Sequence, residues 1–207
     1  MKLCSLANRK TLVGTILLFI GSIIASAAAS VPDPEPATGW QSKEAAFASQ
    51  FMAVTAHPLA TQAANTVLKN NGSAVDAAVV AQLILNLVEP QSSGIGGGAF
   101  MLYWDAENRT LFSFDGRETA PAAANSDYFK DDGGKIIKWR EARLGPKAVG
   151  VPGTLHLLHT VHQRFGNHSW ADLFAPAIAL SRKGFSVSPR MAKSIKGAQA
   201  SLQRFKA

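Results

Sequence analysis

Gln91-Ser92-Ser93-Gly94-Ile95-Gly96-Gly97-Gly98-Ala99-Phe100-Met101-Leu102-Tyr103-Trp104 is the stretch that decides the fold. Gly94 to Ala99 formally satisfies G-x-G-x-x-[GA], the dinucleotide fingerprint. That motif works only with a strand before it and a helix after it, so that the helix N-terminus faces a pyrophosphate. Here the order is reversed. An apolar, strand-like run (Ala99 to Trp104) follows the glycines, and a helical pattern precedes them. The glycines therefore serve close backbone packing or close approach to a substrate rather than nucleotide binding.

Reading outward, Asp105-Ala106-Glu107-Asn108 is a turn and Thr110 to Phe114 a second strand, which predicts a hairpin. Upstream, only Asp76, Gln82 and Asn86 interrupt the apolar residues from Ala74 to Val88. A helix apolar nearly all round is a buried one, and Glu89-Pro90 ends it. Leu59, Ala60, Ala63, Ala64, Val67 and Leu68 share one helical face, with Lys69 and Gly72 as the C-terminal signals. Phe51 to Ala56 reads as a short strand stopped by His57-Pro58. Past the hairpin an irregular stretch runs to Arg143. Helices are expected from Thr154 to Arg164, from Trp170 to Lys183 and from Ser188 onward. Helices, hairpin, helices make a mixed α/β architecture.

The chain has 207 residues, of which 47% are apolar and 17% charged. Soluble domains carry about 25% charged residues, so much of this surface is meant to be covered. Residues 1–27 read as a secretory signal peptide: Lys2, Arg9 and Lys10, an apolar run from Thr11 to Ile24, then small residues around Ala27. The run is short for a membrane span, which takes about 20 residues. The expected location is secreted or periplasmic, with no membrane attachment after cleavage. Removing the signal lowers the net charge from +7 to +4. Residues 28–43 are a Pro-rich linker and 44–207 the folded region. Cys4, the single cysteine, leaves with the signal, so neither a disulfide nor a thiolate nucleophile is available to the mature chain. The remaining cations, Lys130 and Lys147 among them, are scattered with little aromatic interleaving, which disfavours a nucleic-acid partner.

Few side chains look catalytic. Neither G-x-S-x-G nor H-E-x-x-H occurs. Ser92 and Ser93 are expected to bond the loop backbone. His156, His159 and His162 fan over about 120° of one helix, but no carboxylate or cysteine on it completes a metal site, so surface histidines are the preferred reading. Arg117 stands out. It follows the second strand and the Asp115-Gly116 turn, where a planar guanidinium can fork onto a carboxylate. A surface ion pair with Glu118 is an equally weighted alternative.

Six blocks in register resemble the γ-glutamyltransferase (glutathione hydrolase) family: Ala56-His57-Pro58-Leu59-Ala60; Asn71-Gly72-Ser73-Ala74-Val75-Asp76-Ala77-Ala78; Val88-Glu89-Pro90; Ser92 to Gly98; Asp115-Gly116-Arg117-Glu118-Thr119-Ala120-Pro121; and Val149-Gly150-Val151-Pro152-Gly153-Thr154. Trp170 to Ile178 continues the match.

The resemblance implies an N-terminal-nucleophile hydrolase with an αββα sandwich, incomplete in this chain, made as an exported proenzyme that cuts itself into two subunits. It implies transfer of the γ-glutamyl group of glutathione to water or to an amino-acid or peptide acceptor through a threonine acyl-enzyme, with no cofactor and no metal. Arg117 matches the arginine that binds the substrate α-carboxylate, and Glu118 an acidic neighbour that supports it. The family's Thr-Thr-His-like start of the small subunit and its paired-glycine oxyanion hole have no counterpart here. The resemblance thus covers the front of the large subunit, and the missing small subunit becomes an expected partner. The competing reading is an inactive exported fragment or a split-enzyme half that binds its complement.

Overall fold

The structure is a computed structural model that describes residues 44–204. The expected signal peptide (1–27) and the expected Pro-rich linker (28–43) lie outside the described residues. Six α-helices and one hairpin are described: α1 (Pro58–Lys69), α2 (Ala74–Val88), β1 (Ala99–Asp105), β2 (Thr110–Gly116), α3 (Trp139–Leu144), α4 (Thr154–Phe165), α5 (Ala175–Lys183) and α6 (Pro189–Leu202).

Each helix end has a local cause. His57 caps α1 by accepting the Leu59 N–H on Nδ1 at 3.2 Å, and Pro58 takes the first turn, where its missing N–H costs nothing. At the other end Gly72 N–H returns to Val67 O at 2.9 Å and Asn71 N–H to Leu68 O at 3.3 Å. That is a Schellman closure, and Asn71, at φ 61°, takes the left-handed position expected of Gly72. Ser73 and Asp76 form a reciprocal capping box at the start of α2.

The core is centred on α2. Val75, Val79, Val80, Leu83, Ile84 and Val88 are buried, packed by Ala60, Ala64 and Val67 of α1 and by Leu157, Leu158 and Val161 of α4. The continuous apolar run of α2 is thus explained by neighbours on several sides.

The strands pair antiparallel with Met101 opposite Phe114 and Tyr103 opposite Phe112. These four side chains form the inward face, where Phe165 of α4 stacks on Tyr103 at 4.2 Å. The outward face carries Phe100, Leu102, Trp104 and Leu111, each more than half exposed. Both faces are apolar, the pattern of a sheet buried on two sides.

Three expectations need correction. Phe51 to Ala56 alternates in exposure like a strand but joins no ladder among the described residues, because periodicity alone supplies no hydrogen-bonding neighbour. Trp170 to Lys183 is a short 3-10 turn (Asp172–Phe174) followed by α5, with Pro176 confined to the first turn of the α-helix. The stretch read as irregular up to Arg143 contains α3. No described helix is long and apolar enough to cross a membrane.

Candidate functional site

Three separate blocks meet at the hairpin exit. Gly97 O accepts the N–H groups of Gly153 and Thr154 at 2.9 and 3.1 Å, tying the glycine loop to the start of α4. Val151 N–H donates to Thr119 O at 2.9 Å, tying the same turn to the segment after β2. Glu118 fills the space between them, its carboxylate against Gly97 and Gly98 and its stem against Gly150. A Cβ on Gly98 would collide with that carboxylate and stand 2.8 Å from Gly116 O. The glycines are bare because Glu118 and the hairpin backbone occupy their side-chain space.

Arg117 leaves the hairpin beside this cradle. Its backbone N–H donates to Asp115 Oδ1 at 2.8 Å, which fixes the turn. Its Nη1 donates to Glu118 Oε2 at 2.5 Å, with the arginine side chain 66% exposed and the glutamate 26%. Sequence left a substrate-facing arginine and a Glu118 ion pair as alternatives. The pair is present, and it still leaves other guanidinium N–H groups available, since five donors project from that plane. Arg117 and Glu118, the latter seated in the glycine cradle, both line an open cleft of about 310 Å³. Pro121, Tyr128, Lys147 and Val149 are among its other walls.

The rest of the glycine loop is held from behind by side chains. Ser93 Oγ accepts Gln82 Nε2 at 2.7 Å, Ile95 N–H donates to Asn86 Oδ1 at 3.2 Å, and Ser92 Oγ accepts Arg190 Nη2 at 3.0 Å. The serines therefore bond side chains of α2 and α6, not the loop backbone, because those helices bring polar groups closer than the loop's own. Arg190 also donates to Glu89, which is 3% exposed and takes a further bond from Gln91 Nε2 at 2.6 Å. Of the three polar residues that interrupt α2, Gln82 and Asn86 are loop anchors.

The helix histidines divide. His159 packs edge-on against Trp170 at 5.0 Å. His162 is no surface residue: its Nε2 sits 2.9 Å from His168 O and 3.5 Å from Asp76 Oδ1. Asp76 is fully buried, and its Oδ2 accepts backbone N–H bonds from Ser73, Asn167 and His168 at 2.8, 2.9 and 3.2 Å. Burial pushes its carboxyl pKa up, but these hydrogen bonds outweigh burial and hold it below the usual value. Among the described residues no group of three His, Cys, Asp or Glu side chains is placed to hold a metal.

Sequence reasoning missed the convergence of Gly97–Gly98, Arg117–Glu118 and Gly150–Thr154, the Glu89–Arg190 pair, and the place of Tyr128 and Lys147 in the cleft. Their separations along the chain carry no periodic signal.

Comparison with known proteins identifies the family. The family model for gamma-glutamyltranspeptidase matches residues 60–207. The chain is 40% identical over 190 residues to the glutathione hydrolase proenzyme of Bacillus subtilis (strain 168), covering 92% of this chain and 32% of that protein. It thus spans about a third of that relative's length. Its fold is similar to the crystal structure of Helicobacter pylori gamma-glutamyltranspeptidase, with TM-score 0.73, 31% identity, and 79% of this chain and 46% of that one covered. It is also similar to cephalosporin acylase from Bacillus halodurans, with TM-score 0.70, 30% identity, and 84% and 32% covered. The chain with its glycine-cradled Arg117–Glu118 pair belongs to the gamma-glutamyltranspeptidase family.

Proposed function

We propose that this chain supplies the substrate-carboxylate site of an enzyme that transfers the γ-glutamyl group of glutathione and related compounds to water or to amino-acid or peptide acceptors. The observation that carries it is the placement of Arg117. A rigid hairpin exit, a carboxylate partner and a glycine cradle hold its guanidinium at the rim of the cleft. A planar fork suits the α-carboxylate of a γ-glutamyl group better than an ammonium does. Glu118 is a positioning residue in this reading, acting through Arg117.

The threonine nucleophile and oxyanion donors are assigned to sequence outside these 207 residues, in a small subunit released by self-cleavage. The outward hairpin face, with Phe100, Leu102 and Trp104 exposed, supports a second layer packing there to complete an αββα sandwich. The basic, apolar, small-residue start of the chain supports export to the periplasm or beyond, with cleavage near residue 27 and the linker 28–43 preceding the folded region.

Isothermal titration of the purified chain with glutathione tests the site. Arg117→Lys is expected to weaken binding about tenfold, as a point charge replaces a fork. An unchanged dissociation constant would remove Arg117 from the site. Hydrolysis of a γ-glutamyl anilide by the same chain above a heat-killed blank would refute the assignment of the nucleophile to another segment.

A further inference from the structure

The cleft beside Arg117 contains a second cation that the family reading does not use. Lys147 lies on the short turn Pro146–Ala148, 30 positions from Arg117, and lines the same cavity. Its Nζ donates to Lys130 O at 3.1 Å and stands 6.0 Å from the ring centroid of half-buried Tyr128. A lysine side chain normally samples many rotamers. Here the side chain is exposed, but a carbonyl and an aromatic face favour one position for its head, which lowers the entropy lost on binding an anion.

The charges in the cleft do not balance. Arg117 is paired with Glu118, the only acid in the lining, while Lys147 has no acidic partner among the described residues. An ammonium has three donors, and the Lys130 carbonyl takes one. Two N–H groups and a full positive charge therefore remain for a ligand. The cavity, about 310 Å³, is at the lower end of the 300–1,000 Å³ typical of small-molecule sites, the scale of a short peptide.

We propose that Lys147 receives a second carboxylate, the one at the far end of a γ-glutamyl peptide, and so makes this site prefer γ-glutamyl peptides that end in a free carboxylate over those that end in an amide. The proposal rests on the reading of Arg117 as the α-carboxylate group. Arg117 and Lys147 then grip the two carboxylates of one ligand, and Glu118 orients only the first.

Glutathione and its C-terminal amide differ in the distal carboxylate alone, so titration of the purified chain with each at low salt isolates the contact. The unsubstituted chain should bind glutathione about three- to tenfold more tightly than the amide, the range of a partly exposed charge-assisted contact. Lys147→Met should bring that ratio to about one, Lys147→Arg should keep it, and 0.5 M salt should shrink it. Arg117→Lys should weaken both ligands alike and leave the ratio intact. A ratio unchanged by Lys147→Met overturns the role of Lys147 while leaving Arg117 standing. A ratio that depends on Lys147 with no effect of Arg117→Lys on either ligand overturns the α-carboxylate reading instead. Failure of the unsubstituted chain to bind either ligand overturns both.

Discussion

The carboxylate of Asp76, in the first turn of α2, accepts the backbone N–H of Asn167 at 2.9 Å across 91 positions of sequence. The same oxygen caps its own helix through Ser73, so one buried charge fastens the start of α2 to the loop after α4. Asp76→Ala removes the acceptor for three N–H groups and is expected to cost about 3 kcal/mol, read as a lower denaturant midpoint. A loss under 1 kcal/mol would show that water replaces the carboxylate.

The pH dependence of that contribution follows from its sign. Hydrogen bonds depress the folded-state pKa of Asp76 below its unfolded value, so the stabilisation is complete above the unfolded pKa, about 3.9, and disappears as pH falls through the folded one. Asp76→Asn should therefore flatten the acid limb of the stability curve below about pH 4. Parallel acid limbs for the two proteins would exclude Asp76 as a contributor.

Gly98→Ala tests the cradle. Its methyl group meets the Glu118 carboxylate and, at 2.8 Å, the Gly116 carbonyl, and the second of these cannot swing away. Overpacking of this kind costs about 1–3 kcal/mol. Glutathione binding should also weaken, because Glu118 no longer holds Arg117 in line. Retained stability together with retained binding would mean that the hairpin exit gives way easily and that the cradle positions nothing.

Glu89 is 3% exposed and bonded to Arg190 of α6. Arg190→Met strands a buried carboxylate and should destabilise by about 3 kcal/mol, near the low end for a broken buried pair because Arg190 is 30% exposed. The double change Glu89→Leu with Arg190→Met should recover most of that loss. Equal melting of the single and double variants would show that Gln91 or water already satisfies Glu89.

The hairpin's outward face makes the last test. Leu102→Thr with Trp104→Thr keeps strand propensity while removing two side chains that are 71% and 55% exposed. Stability of the isolated chain should change by less than about 0.5 kcal/mol, while binding of an apolar fluorescent dye should fall by more than half. A destabilisation above 1 kcal/mol would assign this face to the chain's own core.

Sequence makes the secondary structure legible wherever local chemistry and periodicity agree. The hairpin follows from two apolar strand-like runs around a turn, α2 from an apolar run interrupted only at Asp76, Gln82 and Asn86, and α1 from helical spacing. Phe51 to Ala56 fails because a strand requires a partner, which no local pattern supplies. Trp170 to Lys183 divides because Pro176 has no N–H to continue a helix through it. At the site, the sequence singles out Arg117 by its place after a strand and its resemblance to a family motif. Lys147 stays hidden among scattered cations.

By itself the sequence determines the mixed α/β class, the helix-before, strand-after order that sets the glycines apart from a dinucleotide fingerprint, and the family. These depend on side-chain type and spacing along the chain. Only the tertiary structure decides what the polar residues do. Asp76 meets His162, Asn167 and His168, Glu89 meets Arg190, and Glu118 settles against Gly97 and Gly98. Burying a charge or a bare backbone is tolerable only where a distant segment brings donors or fills the space, and the packing of α2, α4, α6 and the hairpin decides which segment arrives.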